Sequence, residues 1–280
     1  PYTKSFAAEN LNHSEKSLEN FEEFSKLVSK ISEFSQNAVV NLSCWGESLL
    51  NPNLLKMIEC ILSYSGLSVF LETDGTLVTD DFCNELSKIV NNASKRTNGF
   101  EKLMISVSVD AFTSQTYQKI HPDCSCSSVS NDFEKSVEAV SKLCAVLPNS
   151  VYPQFVRMNQ NEEELESFFR YWNEKSNPSN GNLIIQKYDD FAGLLPPCKP
   201  ADLSPLERNV CWHLRRDFTI LLNGDVPSCK TCLFGQINGN VFESSLEEIW
   251  QKNNSLIEDQ IKNNYNKRCG KCDEYYTFNF

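Results

Sequence analysis

The sequence predicts an α/β fold: a partial (β/α)6 TIM-like barrel that lacks its first strand, followed by a small C-terminal cysteine module. Three observations predict it. Residues 38–188 alternate between period-2 and period-3.6 apolar spacing, which is the pattern of βαβ units on a parallel sheet. The text opens on a helical pattern with no strand before it. Cys211, Cys229, Cys232, Cys269 and Cys272 then crowd the end of a chain that holds 12 cysteines in 280 residues.

Each element follows in order. Leu18, Phe21, Phe24, Val28 and Ile31 recur at helical spacing, and 38–43 (AVVNLS) reads as a strand. Leu54, Leu55, Ile58, Ile61 and Leu62 form a second helix, entered through Asn51-Pro52-Asn53. The strand 67–73 (LSVFLET) closes on a turn at Asp74-Gly75. A helix on Phe82, Leu86, Ile89 and Val90 leads to the strand 102–109. A helix on Phe133, Val137, Val140 and Cys144 precedes the strand 152–158. Leu165, Phe168, Phe169 and Trp172 give the next helix, and 182–188 the fifth visible strand. A closed eight-fold barrel does not fit this length; an open six-stranded one does, if a first strand is supplied upstream. A doubly wound sheet is the alternative. Residues 1–190 are therefore assigned to the barrel. The proline-rich stretch 191–210 (Pro196, Pro197, Pro200, Pro205) is a linker, and 211–280 the module. Within the module, 218–222 and Asp225-Val226 read as a hairpin around Asn223-Gly224. Leu246, Ile249, Trp250, Ile257 and Ile261 read as one amphipathic helix.

Composition excludes several classes. Hydrophobic residues make up 40% of the chain, enough for a core, and the net charge of −11 opposes binding to nucleic acid or an anionic membrane. No apolar run approaches the roughly 20 residues needed to span a bilayer, and no secretory signal is visible. A cytoplasmic location is expected. An even cysteine count suggests disulfides in a small secreted chain, but this chain is long. Cys60, Cys83 and Cys144 sit at apolar helix positions and are expected as buried small hydrophobes. Cys198 is expected to be buried or disulfide-bonded, and Cys124 and Cys126 to be unligated loop thiols.

The later cysteines differ. A hairpin brings Cys211 and Cys229 to the same end, and Cys269-Gly270-Lys271-Cys272 is a C-x2-C knuckle whose sulfurs turn to one point. Four converging thiolates bind either a zinc ion or an iron–sulfur cluster, and spacing does not separate the two. Cys232 makes a second C-x2-C with Cys229 and is placed to replace or supplement one ligand. His213 is expected to pack beside Cys211 or support it.

Here the text resembles a known family. Cys211-Trp212, then FTILLNGDVPSC, GNVFESSLEEIW and CGKC are similar to the SPASM or twitch domain attached to radical S-adenosylmethionine enzymes. Gly224 and Cys229 have the family separation, and Gly239-Asn240 and Leu246 to Trp250 match its helix entry. The text also resembles a spirochaete subgroup of SPASM proteins. Two-cluster versions continue with further cysteines, absent here, so the resemblance implies one auxiliary 4Fe–4S cluster on Cys211, Cys229, Cys269 and Cys272. Upstream, Gly46-Glu47 after the first visible strand resembles the family's G-G-E-P-like stretch, which meets the methionine end of the cofactor. Thr73, Ser106, Ser108, Gln154 and Arg157 resemble family positions at the strand ends that face it. Asp110, Tyr117 and Arg157 are candidates for the barrel mouth, and His121 reads as a helix-end residue.

The resemblance implies S-adenosylmethionine with a second 4Fe–4S cluster, an electron donor, and a peptide or protein substrate. The family's chemistry is reductive cleavage of S-adenosylmethionine to a 5′-deoxyadenosyl radical that takes a substrate hydrogen. Its defining C-x3-C-x2-C motif does not occur in these 280 residues. It is expected just upstream of Pro1, so that this chain alone is inactive. Two alternatives stay open: a non-catalytic, metal-stapled binding module on a degenerate barrel, and a zinc-containing α/β hydrolase or transferase.

Overall fold

The computed structural model describes residues 16–43, 45–121, 131–201, 205, 207–232 and 235–276. Cys44, Cys124 and Cys126 lie outside them. The chain forms two compact units. Of the described residues, one unit spans Ser35–Gln186; the other combines residues 16–34 with those from Lys187 onward.

The first unit holds five strands: β1 (Val39–Asn41), β2 (Ser68–Thr73), β3 (Leu103–Ser108), β4 (Val151–Arg157) and β5 (Ile184–Lys187), the last at the unit boundary. They lie in the order β1-β2-β3-β4-β5, and β1 through β4 pair in parallel. Each crossover moves to the next neighbour. This is the progression of a curling half-barrel; a doubly wound sheet reverses direction at a switch point. The crossovers carry α2 (Leu54–Leu62), α3 (Asp80–Asn92), α4 (Ser114–Ile120), α5 (Asp132–Val146) and α6 (Leu165–Trp172). The remaining helices belong to the second unit. There α1 (Phe21–Phe34) precedes the sheet in sequence, and α7 (His213–Arg216), α8 (Leu246–Gln251) and α9 (Asn253–Ile261) follow it.

Strand alternation separates two faces. Val69, Leu71, Leu103, Ile105, Val107, Val151 and Phe155 share one face and are all buried. The helices cover it. Phe70, Glu72, Met104, Ser106, Ser108, Tyr152 and Gln154 share the other. Of the three cysteines expected as core hydrophobes, Cys83 is buried, but Cys60 and Cys144 are only half-buried, because they flank the inward stripes of α2 and α5.

Polar side chains complete the backbone where the ladders end. The guanidinium of Arg96, itself buried, donates to the carbonyls of Leu62, Tyr64 and Leu67 at 2.8–3.0 Å and so closes the C-terminus of α2. Asp110 ends β3 in a left-handed conformation, φ 55°. Its Oδ1 accepts the Val156 amide at 2.7 Å, and its carbonyl accepts Asn161 Nδ2 at 2.7 Å. Tyr117, expected at the barrel mouth, is buried between α4 and α5 instead. Its ring lies 4.4 Å from His121 and 5.8 Å from Phe133, because the apolar face of α4 turns toward α5. His121 is the C-cap of α4.

In the second unit, α1 lies within the span assigned to the barrel, yet its apolar face packs with the C-terminal module. Leu18 and Leu27 join Val226, Val241, Leu246 and Ile249 in one core. Phe218 stacks on Trp250 at 5.9 Å, and Phe34 meets both rings edge-on. The strands β6 (Asp225–Pro227) and β7 (Ile237–Asn240) pair antiparallel. The expected hairpin is therefore corrected: Asp225–Pro227 takes 237–240 as its ladder partner, and 218–222 contributes only the bond from Leu221 N–H to Asp225 O. Asn223-Gly224 does form a turn, but only Gly224 has positive φ, at 83°. The single amphipathic helix expected over 246–261 is two helices, α8 and α9, which break at Lys252. Asn253 is buried there, and its side chain accepts from Asn238 Nδ2 at 2.6 Å.

These joints can be probed at two positions. Gly75 has φ 81°, and a Cβ there would come within 2.9 Å of Ala139 Cβ and 3.1 Å of Val107 Cγ1. Gly75→Ala should cost about 1–3 kcal/mol, measured by urea unfolding. Burial pushes the Asp110 carboxyl up to about 7, against the opposing bond from Val156 N–H. The folded chain thus holds a proton that the unfolded chain releases above about pH 4. This contribution is full below that pH and is lost as pH rises through about 7. Thermal melts of wild type against Asp110→Asn should show a smaller fall in Tm between pH 5 and pH 8 in the variant.

Candidate functional site

The parallel register sorts the candidate residues of the barrel. Ser106, Ser108 and Gln154 lie on the polar face, where Ser106 Oγ donates to Gln154 Oε1 at 2.6 Å. Both Ser106 and Gln154 are buried, so this bond satisfies groups that water does not reach. Thr73 and Arg157 have the opposite alternation, in line with Val107 and Phe155. Thr73 Oγ1 donates to Glu47 Oε1 at 2.9 Å. Arg157 forms an ion pair with Glu162, at 2.5 and 3.1 Å, which raises its pKa. A residue that sequence reasoning passed over is Glu72, which shares the polar face with Ser106 and Tyr152. Its signal was the alternation itself, since Val69 and Leu71 point to the helices.

Gly46 and Glu47 sit in the loop after β1. Gly46 is exposed, with φ 93° and open space around its α-carbon. The Glu47 carboxylate accepts the Leu49 amide, the Thr73 hydroxyl and the Asp74 amide, each at 2.9 Å. Burial raises its pKa despite these donors. Glu47 thus ties the loop after β1 to the loop after β2. Glu164 anchors the loop after β3 in the same way. It accepts the Phe112 and Thr113 amides at 2.7 and 3.1 Å and the hydroxyls of Thr113 and Thr116. Burial opposes ionisation there, but the donors outweigh it and hold the carboxyl low.

The second site lies in the C-terminal module. Cys229 and Cys232 flank a 3-10 turn at Lys230–Cys232, and Cys269–Lys271 forms another. In both, the second cysteine's N–H bonds to the first one's carbonyl, at 3.0 and 3.2 Å. Arg268 Nη1 donates to Thr231 O at 2.8 Å and links the two turns. The neighbouring Cys232 thiol draws those of Cys229 and Cys269 below the ordinary thiol range. Cys211 and Cys272 feel the charges of the same group, while burial pushes them up to about 11 and about 12. The four expected ligands and Cys232 thus lie in one module. Among the described residues no three His, Cys, Asp or Glu side chains are arranged around a single-ion position, and no disulfide is formed.

Surrounding groups fix this cluster. Cys211 N–H donates to Gln260 Oε1 at 2.8 Å. His213 is buried, and its Nδ1 is held by Asp217. Arg208 is sandwiched between Tyr265 and Tyr275, 4.4 and 4.3 Å from their ring centres, and donates to Cys269 O. An ion network that the sequence did not announce stands behind Cys272. Lys187 pairs with Asp273 and Glu274 at 3.1 and 2.5 Å, Lys230 with Asp189 at 3.0 Å, and Lys199 with Asp273. Its members lie far apart in sequence, so no local pattern could reveal it.

Among the described residues no helix is long and apolar enough to cross a membrane. A family model described as an iron–sulfur cluster-binding domain, SPASM, matches residues 211–273. An uncharacterised protein of Treponema pallidum (strain Nichols) is 37% identical over 260 residues, covering 92% of this chain and 70% of the relative. The fold is similar to that of native anSMEcpe with bound AdoMet, with a TM-score of 0.58, 15% identity, and coverage of 92% of this chain and 82% of that one. A histidine-tagged form of the same protein with bound AdoMet matches with a TM-score of 0.60, 15% identity, and coverage of 98% and 82%. The chain therefore carries a SPASM iron–sulfur cluster-binding domain over residues 211–273, belongs to one family with the Treponema pallidum protein, and shares the fold of the solved anSMEcpe structures.

Proposed function

We propose that this chain is the substrate- and cofactor-holding part of a radical S-adenosylmethionine enzyme, with an auxiliary 4Fe–4S cluster on Cys211, Cys229, Cys269 and Cys272. One observation carries the reading: the module that holds these four cysteines is matched as an iron–sulfur cluster-binding domain over residues 211–273. The donor set fits the group. All four are soft sulfur ligands; Cys272 Sγ accepts the Glu274 amide at 3.4 Å and Cys229 Sγ lies 3.1 Å from the Thr231 hydroxyl, contacts of the kind cluster thiolates make.

In the barrel, the polar face of β2–β4 binds and orients the cofactor. Ser106 fixes the Gln154 amide, whose nitrogen stays available as a donor. Ser108 and Glu72 add a hydroxyl and a carboxylate on the same face. Gly46 offers its backbone without side-chain obstruction, in a loop that Glu47 clamps in place. Thr73 and Arg157 act as supports: Thr73 through Glu47, Arg157 by holding Glu162 at the start of the segment that leads into α6. When bound and reduced, S-adenosylmethionine and its own cluster supply a 5′-deoxyadenosyl radical that removes a substrate hydrogen. A peptide or protein substrate is supported by the neighbour of known structure, which was solved with the Kp18Cys and Cp18Cys peptides bound. An electron donor and a cytoplasmic location complete the proposal.

Two outcomes test it. After anaerobic reconstitution with iron and sulfide, the 280-residue chain should show the brown charge-transfer absorption of a cluster. Cys269→Ala or Cys272→Ala should lose most of its bound iron, while Cys198→Ala should keep it. Zinc uptake without iron would sink the assignment. Because the C-x3-C-x2-C motif does not occur in this sequence, the same protein should form no 5′-deoxyadenosine from S-adenosylmethionine under strong reductant. Detection by liquid chromatography would overturn that expectation.

A further inference from the structure

Polar atoms withdrawn from water almost always find a partner. In the C-terminal module Arg208 Nε, Tyr265 Oη and His213 Nε2 are buried without a hydrogen-bond partner among the described residues. Of these three groups, Arg208 carries a permanent charge. Its guanidinium lies between the Tyr265 and Tyr275 rings, 4.4 and 4.3 Å from their centres, and its Nη2 donates to the carbonyl of Cys269. Tyr275 is held in turn, because its hydroxyl donates to Pro205 O at 3.3 Å. The head group is thus fixed on both faces and at one end, beside the Cys269–Lys271 turn. Arg268 ties that turn to the one at Lys230–Cys232 through Thr231 O. The arrangement leaves Nε–H without an acceptor in a place that solvent does not reach. A ligand arriving from solution would have to displace the rings to meet it. The acceptor that suits this donor is one that resides inside the module.

We propose that Arg208 is a positioning residue of the auxiliary cluster: its Nε–H donates to a sulfur of the bound cluster, and its charge raises the cluster's reduction potential. The proposal rests on the cluster assignment made above. Reduction adds one negative charge to the cluster. A guanidinium beside it stabilises the reduced form over the oxidised one, and a partly buried setting screens that attraction less than water does. A hydrogen bond to sulfur acts in the same direction. Arginine suits the place because its charge does not titrate and its flat head group stacks between two aromatic rings.

Anaerobically reconstituted wild type, Arg208→Gln, Arg208→Lys and Arg215→Gln of the full 280-residue chain are compared by iron and sulfide content and by redox titration followed by EPR. Arg215 is an exposed arginine of the same module and controls for the loss of a charge in general. All four proteins should hold iron and sulfide at the wild-type ratio. The midpoint potential should be more negative in Arg208→Gln, intermediate in Arg208→Lys, which keeps the charge but not Nε–H, and unmoved in Arg215→Gln. An unmoved potential in an iron-loaded Arg208→Gln overturns the proposal and leaves a trapped water as the partner of Nε. An equal shift in Arg215→Gln overturns it as well. Loss of iron from both Arg208 variants, whether or not circular dichroism reports a folded chain, makes Arg208 a structural prop and also overturns it. A wild-type chain that takes up no iron overturns the cluster assignment first, and this proposal with it.

Discussion

The parallel register of β2, β3 and β4 is the constraint on which the barrel unit depends. It aligns Leu71 with Ile105 and Val151, and Thr73 with Val107, so that one face is a continuous apolar surface for the helices. The opposite face then receives Glu72, Ser106, Ser108, Tyr152 and Gln154 without choice. A one-residue slip in any strand would exchange the two sets. Ser106 and Gln154 show the consequence. They are buried polar groups on neighbouring strands, and the register puts them within 2.6 Å of each other.

Beyond the strands the ladder stops, and carboxylates take over. Glu47, Asp110 and Glu164 each accept backbone amides near the C-terminal ends of the strands. Their pKa values move in different directions because two effects compete. Burial prevails at Glu47 and Asp110, whereas the four donors around Glu164 prevail over burial there. The loops that would surround a bound molecule are thereby held by side-chain anchors rather than by ladder bonds.

The C-terminal module solves a different problem. Its apolar core is small, and five cysteines and several charged side chains lie partly buried beside it. Arg208, pressed between two tyrosine rings, and Arg268 place guanidinium groups beside Cys269 and the Cys229 turn. Lys187, Lys199 and Lys230 are paired with Asp189, Asp273 and Glu274, so these charges are matched where they are withdrawn from water. Such pairs add little net stability, but removal of one partner would strand the other. They hold the residues after Cys272 in a single arrangement.

Much of this was legible in the sequence. The two apolar periods located five strands and the helices between them, because each amphipathic element must bury one face. The C-x2-C spacings and the text around Trp250 marked the cysteine module. What local patterns could not decide was which residues meet across long separations. Nothing in residues 21–34 says that α1 buries Leu27 against Val226 and Ile249. The partners of Glu47 and Arg96, the side-by-side burial of Ser106 and Gln154, and the surroundings of Cys232 depend equally on distant segments. Spacing along a chain determines secondary structure and the chemistry a residue carries. Register and tertiary contact determine which groups share a face and which are buried, because these depend on distances that close only when the chain has folded.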